Sequence, residues 1–108
     1  MAQKAALLRR KFELAVEHAR SGAGAALDTQ AQLAFYALFK QATEGECREP
    51  APARLSLAKY AKHQAWSELG TLSSEQAMRR YLRAMDRQDP GWVDAVRAAQ
   101  SIKLRSKL

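Results

Sequence analysis

The sequence predicts an all-α protein, a single four-helix bundle with a short fifth helix at its C-terminal end. Three observations carry this. Apolar residues recur at three- and four-residue steps, the spacing of one helix face. No stretch alternates apolar and polar residues over the length of a useful strand. Glycines and prolines fall between the apolar segments rather than inside them. With 108 residues and 47% apolar content, the chain can close one core and has no room for a second, catalytic domain.

The elements follow in order. Phe12, Val16 and Ala19, with Leu8 one turn earlier, outline helix one, which Ser21-Gly-Ala-Gly24 ends. Asp28 or Thr29 can cap helix two, Thr29-x-x-Gln32 has capping-box spacing, and Gly45 suits its terminus. Pro50 and Pro52 remove backbone donors and disfavour helix before them, so residues 47–57 read as an irregular connection. Helix three covers Ala58 to about Leu69, with Ala61, Ala65 and Trp66 on one side and Gly70 beyond its end. Ser73 opens helix four through a second capping-box spacing with Gln76, and Ala77, Tyr81 and Met85 form its apolar stripe. Asp89-Pro90-Gly91 stops it. Asp89 can also cap a short fifth helix with Pro90 at its first position and Val93 and Val96 facing inward.

Composition narrows the function class. Cys47 is the only cysteine, so neither an intramolecular disulfide nor a cysteine-based metal cluster is possible, and a reduced intracellular thiol is expected. No apolar run approaches the roughly 18 residues of a membrane span, and no secretion signal is apparent, so a soluble protein is expected. The net charge of +7 raises the question of nucleic acid, but the excess sits at the ends. Lys4, Arg9, Arg10 and Lys11 lead and Lys103, Arg105 and Lys107 trail, which leaves 11 basic residues against 11 acidic ones between 12 and 101. A neutral body suits a few placed cations for one phosphorylated ligand better than a duplex-binding surface.

Tyr36, Phe39 and Lys40 fall at i, i+3 and i+4 and share a helix face, which sets two aromatic planes beside one ammonium. Such a face suits a purine carrying a phosphate. Three strings in order, Tyr36-Ala-Leu-Phe-Lys40-Gln-Ala-Thr-Glu-Gly45, Lys62-His-Gln-Ala-Trp66 and Ala77-Met-Arg-Arg-Tyr81, resemble the acyl-CoA-binding protein family from about Phe12 to Arg87. The resemblance implies a skewed up-down-down-up four-helix bundle with an open, bowl-shaped ligand site. It also implies roles: Tyr36 and Lys40 contact the CoA head and its 3′-phosphate, Lys62 brings a second charge from helix three, and Tyr81 contacts CoA from helix four by stacking and as a donor. Phe39 stands where many members have tyrosine, keeping the π-face for adenine without the hydroxyl. Arg20 matches a basic position near the phosphates, one extra residue being placed between it and Leu33. Leu33 lies where the family contacts the acyl chain, with Val16 facing it from helix one. His63 departs from a family tryptophan and reads as a packing change, and His18 has no evident partner. Neither histidine has a recognisable nucleophile beside it, so no enzyme is expected.

The chain ends in Ser106-Lys107-Leu108, a peroxisomal address read by an import receptor rather than an anchor. The sequence therefore divides into a basic N-terminal extension (1–11), an acyl-CoA-binding domain (12–89), a C-terminal extension (90–105) and the targeting tripeptide (106–108). The expected protein is a non-enzymatic carrier of medium- to long-chain fatty acyl-CoA in the matrix of a peroxisome-type organelle, with a share in the cytosol. It hands its cargo to acyl-CoA-using enzymes. No metal and no cofactor are expected, acyl-CoA being cargo, and no nucleic acid or integral membrane segment enters the reading. Two competing readings are a basic helical module for nucleic acid or a partner, tested by salt dependence, and an interfacial lipid binder built on Leu7 to Phe12.

Overall fold

Helix-period apolar faces become five α-helices in the computed structural model, which describes residues 2–22, 26–53 and 56–106. They are α1 (Ala2–Arg20), α2 (Thr29–Glu44), α3 (Leu57–Ser67), α4 (Ser74–Gln88) and α5 (Trp92–Ser106). Among the described residues there is no strand. Residues 2–11 form the first turns of α1, because nothing in Ala5-Ala-Leu-Leu-Arg9 breaks a helix.

Local chemistry sets the ends. The Asp28 carboxylate accepts from the Ala31 backbone N–H at 2.8 Å and is the N-cap of α2. The capping box expected at Thr29 does not form, since the Gln32 amide donates instead to the Leu27 carbonyl. The box at the head of α4 does form: Ser73 accepts from the Gln76 N–H and Gln76 accepts from the Ser73 N–H. Gly45 ends α2 at φ 83°, a conformation that favours glycine.

α2 packs on α4 and α3, while α1 packs on α4 and α5. The core draws Phe12, Ala15 and Val16 from α1, Phe35, Leu38 and Ala42 from α2, and Met78, Tyr81, Leu82 and Met85 from α4. Ala15, not Ala19, completes the α1 face, and Ala19 is exposed. At that level His18 turns inward instead. Its Nε2 meets Asp89 Oδ2 at 2.8 Å, so the histidine without an evident partner has one, 71 residues away.

The fifth helix is not short. It has 15 residues, as many as α4, and no glycine or proline interrupts it after Gly91. Trp92 anchors it with 2% exposure, and the indole N–H donates to Asp86 Oδ1 at 2.8 Å. Asp89 contributes its carbonyl to the Trp92 N–H, while its carboxylate is engaged with His18. Val93 and Val96 pack against the core as expected.

Candidate functional site

The exposed edge of α2 is where the predicted residues converge. Tyr36 and Phe39 are half-buried one turn apart, and each is covered by a cation from a different helix. From α1, the Arg20 guanidinium lies 4.7 Å from the Phe39 ring centroid. From α3, Lys62 Nζ lies 5.4 Å from the Tyr36 ring centroid. Lys40, between them on α2, sets its ammonium 4.8 Å over the Trp66 ring and pairs with Glu44. Three cations and three aromatic rings thus alternate across one surface made by α1, α2 and α3. Each contact is worth about 0.5–1 kcal/mol at an exposed site, so a phosphate and a flat ring can displace them readily.

The seats of these cations are fixed from below. Trp66 is buried, and its indole N–H donates to the Gly45 carbonyl at 2.9 Å, locking the end of α2 against α3. Gln41, also buried, donates from Nε2 to the Gly70 and Leu72 carbonyls at 3.0 and 2.8 Å, which ties α2 to the turn before α4. His63 bonds through Nε2 to the Glu49 carbonyl at 2.8 Å and so holds the α2–α3 connection. That is a structural role, in keeping with a packing change at this position.

Hydrogen bonding to Glu44 holds the Lys40 ammonium at a higher pKa than usual, outweighing desolvation by burial, and the charge of Glu44 adds a smaller push the same way. Lys40 is therefore fully charged at neutral pH, with its side chain 19% exposed.

Tyr81 does not stand open to a ligand as a stacking platform. It is 3% exposed, and its ring makes edge contacts with Phe12 at 5.1 Å and Phe35 at 4.9 Å between centroids. Its position four residues after Ala77 places it on the buried stripe of α4, so the core claims its ring. Burial pushes the phenol up to about 12, opposed by the nearby charge of Arg20. The ring supports the site from beneath: Phe12, packed on Tyr81, also lies parallel to Phe39 at 6.4 Å.

Val16 and Leu33 do not face one another. Val16 is buried and lines a groove of about 570 Å³ between α1, α2 and α4, with Phe12, Arg20, Phe39 and Met78. Leu33 lines a separate groove of about 560 Å³ with Ala37, Leu38, Ala65 and Leu69. The helix explains the separation, since six residues from Leu33 to Phe39 rotate the direction by about 120° at 3.6 residues per turn. Arg9, Thr43 and Met78 on the Val16 groove were missed by sequence reasoning, as was Glu44, although its i,i+4 spacing to Lys40 was a readable signal.

Of the tripeptide 106–108, Ser106 closes α5, and Lys107 and Leu108 lie outside the described residues. No helix among the described residues is long and apolar enough to cross a membrane.

Comparison with known proteins extends this geometry. A family model described as Acyl CoA binding protein matches residues 9–85. Acyl-CoA-binding domain-containing protein 4 of Oryza sativa subsp. japonica is 42% identical over 74 residues, covering 68% of this chain and 22% of that protein. Acyl-CoA-binding domain-containing protein 2 of Arabidopsis thaliana is 43% identical over 67 residues, 62% of this chain and 18% of that protein. The chain thus spans about a fifth of the length of these relatives. The solution structure of the acyl CoA binding protein from Babesia bovis superimposes with a TM-score of 0.69 at 32% identity, covering 77% of this chain and 94% of that one. The crystal structure of Oryza sativa Acyl-CoA-Binding Protein 2 gives 0.69 at 28% identity, over 75% and 89% of the two chains.

Proposed function

The chain belongs to the acyl-CoA-binding protein family, and from that premise we propose that it binds medium- to long-chain acyl-CoA thioesters as cargo. The observation that carries the reading is the alternation of Arg20, Lys40 and Lys62 with Phe39, Trp66 and Tyr36 on one helical surface. Coenzyme A presents an adenine ring, a ribose 3′-phosphate and a pyrophosphate together. On binding, Tyr36 and Phe39 give the adenine an aromatic bed, and Lys40 and Lys62 exchange their rings for the 3′-phosphate and pyrophosphate. Arg20 swings from Phe39 to the same anions. The Tyr81 phenol adds at most a hydroxyl, its faces being taken by Phe12 and Phe35.

Leu33, one turn before Tyr36, opens on a groove where Ala37, Leu38, Ala65 and Leu69 offer the acyl chain an apolar floor, rimmed by Arg80, Arg83 and Arg87. Each methylene buried there contributes about 0.8 kcal/mol, so chain length sets preference among thioesters. Each charge-assisted hydrogen bond contributes about 1.5–3 kcal/mol, so the cations set preference for a CoA thioester over a free fatty acid. Equal affinity for palmitate and palmitoyl-CoA would refute this division.

The reading contains no chemical step. His18 is engaged with Asp89, and His63 holds a backbone carbonyl while its other nitrogen is a long 3.5 Å from Ser67 Oγ. Among the described residues, no carboxylate is seen to orient that pair as a hydrolytic triad requires. The carrier works in a peroxisome-type organelle, directed by Ser106-Lys107-Leu108 through an import receptor, and delivers its cargo to acyl-CoA-using enzymes there. Deleting the three residues should leave binding intact and send the protein to the cytosol; continued organelle import would refute the address.

A further inference from the structure

Lys40 is held differently from its two neighbours. Arg20 and Lys62 rest on aromatic rings, and neither forms an ion pair among the described residues. Lys40 rests on Trp66 and is also bound by the carboxylate of Glu44, one turn later on the same helix. An incoming phosphate must take the ammonium from an anion already in place.

The i,i+4 pair with Lys40 supports the helix only weakly, being in the less favourable lysine-first order. Glu44 is the last residue of α2, where a carboxylate opposes the helix dipole, and the last turn carries no basic residue to offset it. The connection that follows continues the same sign, with Glu46 and Glu49 against Arg48, and the charge of Glu49 also acts on Lys40. The negative charge is therefore gathered beside the one lysine that the proposed site assigns to the 3′-phosphate.

We infer that Glu44 is an internal competitor for the ligand's 3′-phosphate at Lys40 and sets how tightly this chain holds the head group. The inference rests on the role given to Lys40 under Proposed function. Its physical content is simple. A phosphate brings more charge and three acceptor oxygens, so it wins the ammonium, but the displaced carboxylate stays within reach on the same helix turn and repels it. The carrier holds its ligand less tightly than its cations alone would allow, which favours release to a consumer.

The test is Glu44→Gln, which keeps the side-chain shape and removes the charge. Glu44 is half exposed, so the variant should keep an unfolding midpoint equal to or above that of the parent. Calorimetric titration is run with palmitoyl-CoA and with the palmitoyl thioester of dephospho-CoA, which lacks the 3′-phosphate. The expected result is binding of palmitoyl-CoA about twofold to fivefold tighter in Glu44→Gln, a gain that shrinks with added salt. The dephospho thioester should show no gain. Unchanged or weaker binding of palmitoyl-CoA by the variant would overturn the inference, because Glu44 would then be presenting Lys40 to the ligand. An equal gain for both thioesters would overturn it as well. In either case the parent still binds palmitoyl-CoA, which separates this failure from failure of the carrier reading, where the parent binds neither thioester.

Discussion

Replacing Tyr81 by phenylalanine tests whether this residue belongs to the core or to the ligand surface. The phenol is 3% exposed and its pKa is pushed up from 10.0 to about 12 by burial. The sign follows from linkage: the unfolded chain releases the phenolic proton near pH 10, while the folded chain keeps it until about pH 12. Stability from this group is complete below pH 10 and is lost as pH rises through the folded value. A shift of about two units corresponds to about 2.7 kcal/mol in full and about 1.4 kcal/mol at pH 11. Urea unfolding of the parent and Tyr81→Phe at pH 7, 9, 10 and 11 isolates the effect, since all other titrating groups are shared. The two should differ little below pH 9. Above it, the parent should lose stability relative to the variant, reaching about 1.4 kcal/mol at pH 11. Parallel curves across the whole range would mean that the phenol titrates normally and faces solvent.

Other expectations follow from single contacts. Lys62→Ala and Lys40→Ala should each weaken palmitoyl-CoA binding by about tenfold to a hundredfold, the worth of one charge-assisted hydrogen bond, without changing far-ultraviolet circular dichroism. Trp92→Ala should cost about 3–5 kcal/mol in denaturant unfolding, because an indole buried to 2% leaves a cavity and an unpaired Asp86. His18→Ala should cost about 1–2 kcal/mol by the same measurement, since it removes a buried side chain and its hydrogen bond to Asp89 at the junction of α4 and α5. Ser73→Ala should cost about 1 kcal/mol by removing half of the capping box.

Helix-period patterns and punctuating residues made α2, α3 and α4 legible in the sequence to within a residue or two at each end. The Ser73–Gln76 box was legible because both partners are local. Local signals failed where a distant partner decided. Gln32 could have closed a box on Thr29, but Asp28 caps the helix and the Gln32 amide donates to the Leu27 carbonyl. His18 lacked a sequence partner because Asp89 meets it only once α1 packs on α4. The length of α5 was missed because Trp92 was not recognised as a core residue, although no helix breaker follows Gly91. The candidate site divides similarly. Spacing alone placed Tyr36, Phe39 and Lys40 on one face, but that Arg20 covers Phe39 and Lys62 covers Tyr36 depends on how three helices meet. Tyr81 illustrates the converse, since a residue at a ligand position in a motif can also lie on the buried stripe of its helix, and here its ring serves the core.

The most direct measurement is calorimetric titration of the purified protein with octanoyl-CoA, palmitoyl-CoA, free CoA and palmitate in one buffer. Tight binding of at least one thioester, with free CoA and palmitate far weaker, is the predicted result, because the cations on α1, α2 and α3 and the apolar floor of the groove beside Leu33 must act on one ligand together. Failure of every thioester to bind, or palmitate binding as tightly as palmitoyl-CoA, would contradict the account.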